Sequence, residues 1–238
     1  MRIAAFSDIH GNLHALQAVL ADIDEQKVDR IFCLGDLVGY GAYPNEVIEL
    51  IRRRGIPTIM GNYDDGVGFD KDECGCAYTD PEMRRLGDSS FAWTKEHVTA
   101  GNKAFLRSLL PNISLAVDGK RLLLVHGSPR RINEYLYEDR GQSSLERIAR
   151  ASEADVLVFG HTHLPYVKDV DGVLFVNVGS AGKPKDGDTR VAYTLLDVGR
   201  EVSVGIKRVR YDVAAAAAAI RASGLPPHFA EVLETARG

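Results

Sequence analysis

Five short apolar stretches of this 238-residue chain each run directly into side chains that can hold a metal ion. Ile3-Ala4-Ala5-Phe6 leads into Ser7-Asp8-Ile9-His10, and Ile31-Phe32-Cys33-Leu34 leads into Gly35-Asp36. Thr58-Ile59-Met60 is followed by Gly61-Asn62, residues 122 to 125 by His126-Gly127, and residues 156 to 159 by Gly160-His161-Thr162-His163. The carboxyl ends of strands are where α/β proteins assemble their sites. If these stretches are strands of one sheet with a common direction, Asp8, His10, Asp36, Asn62, His126, His161 and His163 converge on one edge. Singly, each reads more simply as a cap or turn residue. As a set they do not: four of the seven histidines stand at strand ends with two aspartates and an asparagine, more than chance placement supplies.

The donor types narrow the metal. A shell of imidazoles and carboxylates suits Mn²⁺ first, with Fe or Zn²⁺ as alternatives, whereas Ca²⁺ and Mg²⁺ prefer oxygen alone. No thiolates converge, which argues against a structural zinc site. Seven donors exceed what one transition metal with an open position needs. One carboxylate bridging two ions about 3.5–4 Å apart accounts for the number.

Positioning these residues requires strands alternating with helices. Leu13, Leu16, Val19, Leu20 and Ile23 recur at helical spacing, so a helix is expected over 12 to 27. Further helices are expected near 44 to 54, 81 to 98, 101 to 110 and 143 to 151, and residues 57 to 60 read as a third apolar run. Residues 63 to 80 are rich in glycine and acid without clear periodicity and read as an excursion on the substrate side. Asp118-Gly119 and Asp171-Gly172 each stand between alternating apolar runs, a strong hairpin signal. Strands follow near 190 to 196 and 202 to 208, then C-terminal helices at about 212 to 237. The fold class is α/β, and with no repeat or biased linker the chain is expected to form a single domain over 1 to 238.

The composition sets limits on partners. A net charge of -4 offers no surface field for nucleic acid or anionic membranes. Any phosphate chemistry must then draw its positive charge locally, as from bound metals. Three cysteines, Cys33, Cys74 and Cys76, make no disulfide framework, and no stretch approaches the roughly 20 apolar residues of a membrane span. A cytoplasmic location is expected.

The strings Ser7-Asp8-Ile9-His10-Gly11-Asn12, Gly35-Asp36-Leu37-Val38-Gly39-Tyr40-Gly41, Gly61-Asn62-Tyr63-Asp64, His126-Gly127 and Gly160-His161-Thr162-His163 resemble the calcineurin-like metallophosphoesterases, in particular their compact bacterial and archaeal branch. The motifs occur in family order over residues 8 to about 190. The resemblance implies a β-sandwich of two mixed sheets flanked by helices. It implies one metal held by Asp8, His10 and His163, a second by Asn62, His126 and His161, and Asp36 bridging both. It places Asp36, Asn62, Tyr63 and His126 in catalysis, with a metal-bound hydroxide attacking the phosphorus of a small-molecule phosphate ester, a phosphodiester before a phosphomonoester and plausibly nucleotide-like. A dinucleoside polyphosphate hydrolase, a protein phosphatase, or a scaffold that keeps the fold without turnover are the alternatives. One departure stands out. Where many members have Gly-Asn-His-Asp, this chain has Tyr63, a far weaker acid with an ordinary pKa of about 10; it is expected to orient the substrate phosphate.

Weaker signals surround this set. Cys74-Gly75-Cys76 falls in the excursion and reads first as an ordinary loop, with contact to metal or substrate, or oxidation sensing, as the alternative. His14 reads as a helix residue, and His97 and His228 as structural. Within residues 179 to 188 and just beyond, Lys185 and Arg190 are the candidates for a cation reaching substrate phosphate. Arg52-Arg53-Arg54 complements a helix dipole rather than binding nucleic acid.

Overall fold

The alternating apolar runs and helical patterns resolve into nine strands and eight helices in a computed structural model that describes residues 1–238. The first half runs β1 (Arg2–Phe6), α1 (Leu13–Glu25), β2 (Arg30–Cys33), α2 (Pro44–Arg53), α3 (Asn62–Gly68), α4 (Pro81–His97) and α5 (Ala100–Arg107). Sheet dominates next, with β3 (Ile113–Val117), β4 (Lys120–Leu124), α6 (Gln142–Ser152), β5 (Val156–Phe159), β6 (Tyr166–Val170) and β7 (Val173–Asn177). The chain ends with β8 (Val191–Val198), β9 (Val202–Val209), α7 (Val213–Ser223) and α8 (His228–Thr235).

Local chemistry explains most of these boundaries. The Asn12 side chain accepts the Ala15 N–H at 3.1 Å and caps α1, whose buried residues Ala15, Leu16, Val19, Leu20 and Ile23 form one face. Pro44 opens α2, and Arg52 and Arg53 close it against the negative end of its dipole. In α7 the alanine run supplies helix propensity, Asp212 caps the start, and Gly224 at φ 88° ends it. Asp118-Gly119 joins β3 to β4 and Asp171-Gly172 joins β6 to β7, all four residues with positive φ, as a two-residue hairpin turn requires.

The strands form two mixed sheets. One has the order β2-β1-β8-β9 with β1 and β2 parallel, and the other has the order β3-β4-β5-β7-β6 with β4, β5 and β7 parallel. Strand alternation then builds three layers of core. Ile3 and Ala5 of β1 and Leu196 and Val198 of β8 meet Leu122 and Leu124 of β4 and Val156 and Val158 of β5 between the sheets. Ala4, Phe6, Tyr193 and Leu195 face outward onto Leu16, Val47, Ile48 and Ile220 of the helices. On the opposite outer face Leu157, Phe159 and Phe175 pack on Leu145 and Ile148 of α6. Each such aliphatic side chain contributes about 1.5–3 kcal/mol when fully buried, so apolar packing holds sheet to sheet.

Three expectations change. The donors do not hang from one sheet: those after β1 and β2 belong to one, those after β4 and β5 to the other. The run at 57 to 60 is no strand but pairs through single bridges, Thr58 with Cys33 and Ile59 with Leu110, because Pro57 has no N–H to donate to a ladder. The excursion at 63 to 80 also begins with a short helix, α3, whose first residue is Asn62. No helix is long and apolar enough to cross a membrane.

Candidate metal centre

The loops after the parallel strands are laced together by main-chain bonds, which fixes where their side chains go. Asp8 N–H donates to Gly35 O at 3.0 Å and His10 N–H to Asp36 O at 2.9 Å, tying the loop after β1 to the loop after β2. Gly160 N–H donates to His126 O at 2.9 Å and ties the loop after β5 to that after β4. The Ala181 N–H reaches Ser7 O at 2.8 Å and the Ser180 hydroxyl reaches Asp8 O at 2.7 Å, which joins the loop after β7 to the same seam. Five of the candidate donors, Asp8, His10, Asp36, His161 and His163, have φ between 50° and 67°, a left-handed region that side chains with a Cβ seldom occupy. Such strain, of order 1 kcal/mol or more per residue, clusters where side-chain aim matters.

The side chains come together as two buried groups, Asp8 with His10 and His163, and Asp36 with His126 and His161. Asp36 Oδ2 lies 3.6 Å from His10 Nε2 and 3.4 Å from His126 Nε2, so one carboxylate oxygen faces both groups. Asn62 Oδ1 lies 3.1 Å from His126 Nε2, and its amide NH₂ is committed to Cys74 O at 3.0 Å. All seven residues proposed from the sequence therefore meet at one seam between the sheets.

The hydrogen bonding aims lone pairs inward. His10 Nδ1 stands 3.0 Å from Val38 O, His126 Nδ1 2.7 Å from Leu34 O and His163 Nδ1 2.5 Å from Lys183 O, so Nδ1–H of each ring donates to a carbonyl and Nε2 is the nitrogen turned to the centre. The Nε2 atoms of His10 and His163 face one another at 3.2 Å, two acceptors in contact. Asp8 gives Oδ2 to the His161 N–H at 2.9 Å and Asp36 gives Oδ1 to the Tyr63 N–H at 2.9 Å, leaving the other oxygens for the centre. Asp8 Oδ1 and His161 Nε2 are buried with no hydrogen-bond partner. Buried acceptors facing acceptors are unfavourable unless a cation lies among them. This donor set fits divalent ions of the borderline type.

Electrostatics agrees. Burial raises the Asp8 carboxyl, but His163, then His126 and His10, outweigh it and hold the group well below the carboxylate range. Burial likewise opposes Asp36, and His126 and His10 bring it down. Burial lowers His10 and His161 to about 3 and lowers His163 as well, which leaves these imidazoles neutral, the form a metal ligand needs. His126 is the exception: burial lowers it, yet Asp36 lifts it to about 10. A proton there answers the same demand that a metal would answer by displacing it.

Asp64, to which the sequence reading assigned no role, is the brace of the site. Its buried carboxylate accepts the N–H groups of Asp36 at 2.8 Å, Leu37 at 2.9 Å and Gly61 at 3.0 Å. Burial and the Asp36 charge raise it to about 7 against the pull of those donors. The close approach needs a glycine: a Cβ on Gly61 would lie 2.1 Å from Asp36 Oδ1.

The remaining candidates disperse. Tyr63 is fully buried, its ring 5.5 Å from that of His10 and its hydroxyl 3.4 Å from that of Tyr78. Its tie to the centre is its main-chain N–H, a different place from the phosphate contact expected of it. Cys74 and Cys76 hold their sulfurs 2.6 Å apart, and Asn62 Nδ2 reaches Cys76 Sγ at 3.4 Å, so the pair borders a candidate ligand. His14 stands 5.6 Å from Tyr43, outside both donor groups. His97 stacks on Trp93 at 3.8 Å, and Arg54 pairs with Asp24. Arg190 is bound to Asp188 at 2.7 Å. Lys185 and His228 line a cleft of about 260 Å³ together with Tyr78, Tyr135, Tyr137 and Lys183. Lys183, absent from the sequence candidates, is buried beside His163, and burial followed by the charge of Lys185 lowers its ammonium well below the ordinary range. Only its place in the chain, two residues before the chosen Lys185, hinted at it.

With this geometry in hand, similarity to known proteins is informative. The profile of the calcineurin-like phosphoesterase superfamily domain matches residues 1–201. An uncharacterized protein of Methanocaldococcus jannaschii is 35% identical across 97% of this chain and 96% of its own length. The phosphodiesterase YfcE of Escherichia coli is 25% identical across 83% of this chain and 88% of its own. A crystal structure of a metallophosphoesterase from Sphaerobacter thermophilus superposes with a TM-score of 0.78 and 32% identity, over 99% of this chain and 98% of that one.

Proposed function

The chain belongs to the calcineurin-like phosphoesterase superfamily, a family of hydrolases that cleave phosphate esters, and on that premise we propose that it hydrolyses small phosphodiesters at a centre of two divalent cations, with manganese as the native metal. The observation that carries this reading is the convergence of lone pairs in two groups that share Asp36. Asp8, His10 and His163 would hold one ion, Asn62, His126 and His161 the other, and Asp36 both. Two such cations would acidify a water and neutralise charge on phosphoryl oxygens.

The chain's own residues prepare that chemistry. The carbonyls of Val38, Leu34 and Lys183 hold three rings in the ligating tautomer, and Asp64 holds the loop that carries Asp36. Hydrolysis forms a bond from the water oxygen to phosphorus and breaks the bond to the leaving oxygen, which takes a proton from solvent or from a group on the substrate side. Tyr63 serves in this reading by fixing Asp36 and backing His10. The aromatic cleft beside the centre supports a nucleotide-like ester over a bare phosphate, because planar rings stack on tyrosine. Free cysteines and the absence of an apolar span suit a cytoplasmic enzyme.

The test is hydrolysis of bis(p-nitrophenyl) phosphate and p-nitrophenyl phosphate by chelated protein to which Mn²⁺ is restored, beside Asp36→Asn. Diester cleavage that needs the metal and falls about 100-fold or more in the variant is expected. Metal-independent cleavage, or a variant as active as the wild type, would overturn the reading.

A further inference from the structure

Two lysines next to the metal ligands have no counterion. Lys183 is 6% exposed, and no carboxylate lies within ion-pair distance of it or of Lys185. The acids of the surrounding loop are engaged elsewhere, Asp186 with Arg208 and Asp188 with Arg190. The Lys183 ammonium sits over the Tyr40 ring, 4.6 Å from its centre, and that ring is 4.9 Å from the His10 ring. The cation is thus one aromatic ring away from the metal ligands. Lys183 and Lys185 both line the 260 Å³ cleft. With no carboxylate of the chain engaging them, both amines are free to donate to an anion that enters the cleft from outside.

The cleft also says what the anion is attached to. Tyr135 lies against His161 with ring centres 4.0 Å apart and tilted by 35°, and stacks on Tyr137 at 5.7 Å, nearly parallel at 8°. Tyr137 remains 43% exposed, an aromatic face turned outward beside the lysines. Base-sized rings favour such faces.

We propose that Lys183 and Lys185 form a phosphoryl subsite adjoining the metal centre, and that the substrate is an aromatic nucleoside ester carrying at least two neighbouring phosphoryl groups, one on the metal ligands and the next on the lysines, with its ring against Tyr137. This rests on the phosphoesterase reading for the location of the reacting phosphoryl group. It assigns the two lysines to specificity.

Calorimetric titration of the Mn²⁺-loaded protein with ADP and with AMP tests it, on wild type, Lys183→Met, Lys185→Met and the control Arg190→Gln. The wild type is expected to prefer ADP by about ten-fold or more, the worth of one charge-assisted bond, and each lysine variant to lose that preference while AMP affinity moves little. The control removes the same charge from a residue already paired and keeps the preference. Equal binding of ADP and AMP by the wild type would overturn the subsite, as would equal loss of both ligands in the lysine variants or loss of the preference in Arg190→Gln. Binding is read without turnover, so protein that hydrolyses no ester yet prefers ADP fails the phosphodiesterase reading alone. Protein that cleaves bis(p-nitrophenyl) phosphate without preferring ADP fails the subsite alone.

Discussion

At the scale of single residues, the metal donors depend on groups that never face the centre. Asp64 meets three N–H donors of the loops carrying Asp36 and Asn62, so Asp64→Ala leaves three buried donors unmet. Chemical denaturation is expected to show a loss of about 3 kcal/mol, and metal titration a drop in affinity of about 10–100-fold. Tyr63→Phe keeps the N–H that holds Asp36 and the ring beneath His10. Its kcat/KM on a diester is expected within about three-fold of wild type, since less than 1 kcal/mol of hydroxyl interaction is at stake. A larger fall would return the hydroxyl to the chemistry.

At the scale of elements, the loops between strand and site must pass one another closely. A Cβ on Gly160 would stand 2.4 Å from Ser7 Oγ and 2.6 Å from Asp8 Oδ2, whereas Gly205 in β9 has open space. Gly160→Ala is expected to weaken metal binding by about ten-fold or more. Gly205→Ala should hold wild-type affinity and gain about 0.5 kcal/mol of stability. The segment after β4 has its own latch. Glu134 accepts the Ser128 hydroxyl at 2.5 Å and Arg140 at 2.8 Å, and pairs with Arg130. Burial opposes its charge, but Arg130 and Ser128 bring it down to about 2 from 4.5. A depressed carboxyl stabilises the fold above its unfolded value and ceases to do so as pH falls through the folded one. Wild type should therefore exceed Glu134→Gln in unfolding free energy at pH 6, with the gap closing between about pH 4.5 and pH 2.

At the scale of the whole molecule, the centre is also a fastener. Asp8, His10 and Asp36 come from one sheet's loops and His126, His161 and His163 from the other's, so in the proposed reading ions held by both sets would tie the sandwich at its edge. A ligand that binds only the folded chain adds about 2.7 kcal/mol at one hundred times its Kd. For a chain of this size, two such sites correspond to a melting shift of about 10 °C or more. Calorimetric scans with Mn²⁺ and with chelator should show that difference, and Asp36→Asn should shrink it. A shift unchanged in the variant would place the stabilising ions elsewhere.

Much of the site was legible in the chain because strand carboxyl ends impose a local grammar. An apolar run and then, within two residues of its end, Asp8, Asp36, Asn62, His126 or His161 can be read directly, as can the Asp-Gly hairpins and the amphipathic face of α1. The donor types alone pointed to borderline divalent metals. Tertiary structure decided which donors group together, because His10 and His163 meet across 153 residues through the packing of two sheets, which no local pattern encodes. It also reduced the run at 57 to 60 to single bridges and turned Tyr63 into the core. The brace at Asp64 and the amine of Lys183, buried without a carboxylate partner, belong to the same class. Whether an acid or an amine has a partner is a property of what surrounds it in space, and the sequence fixes only its neighbours along the chain.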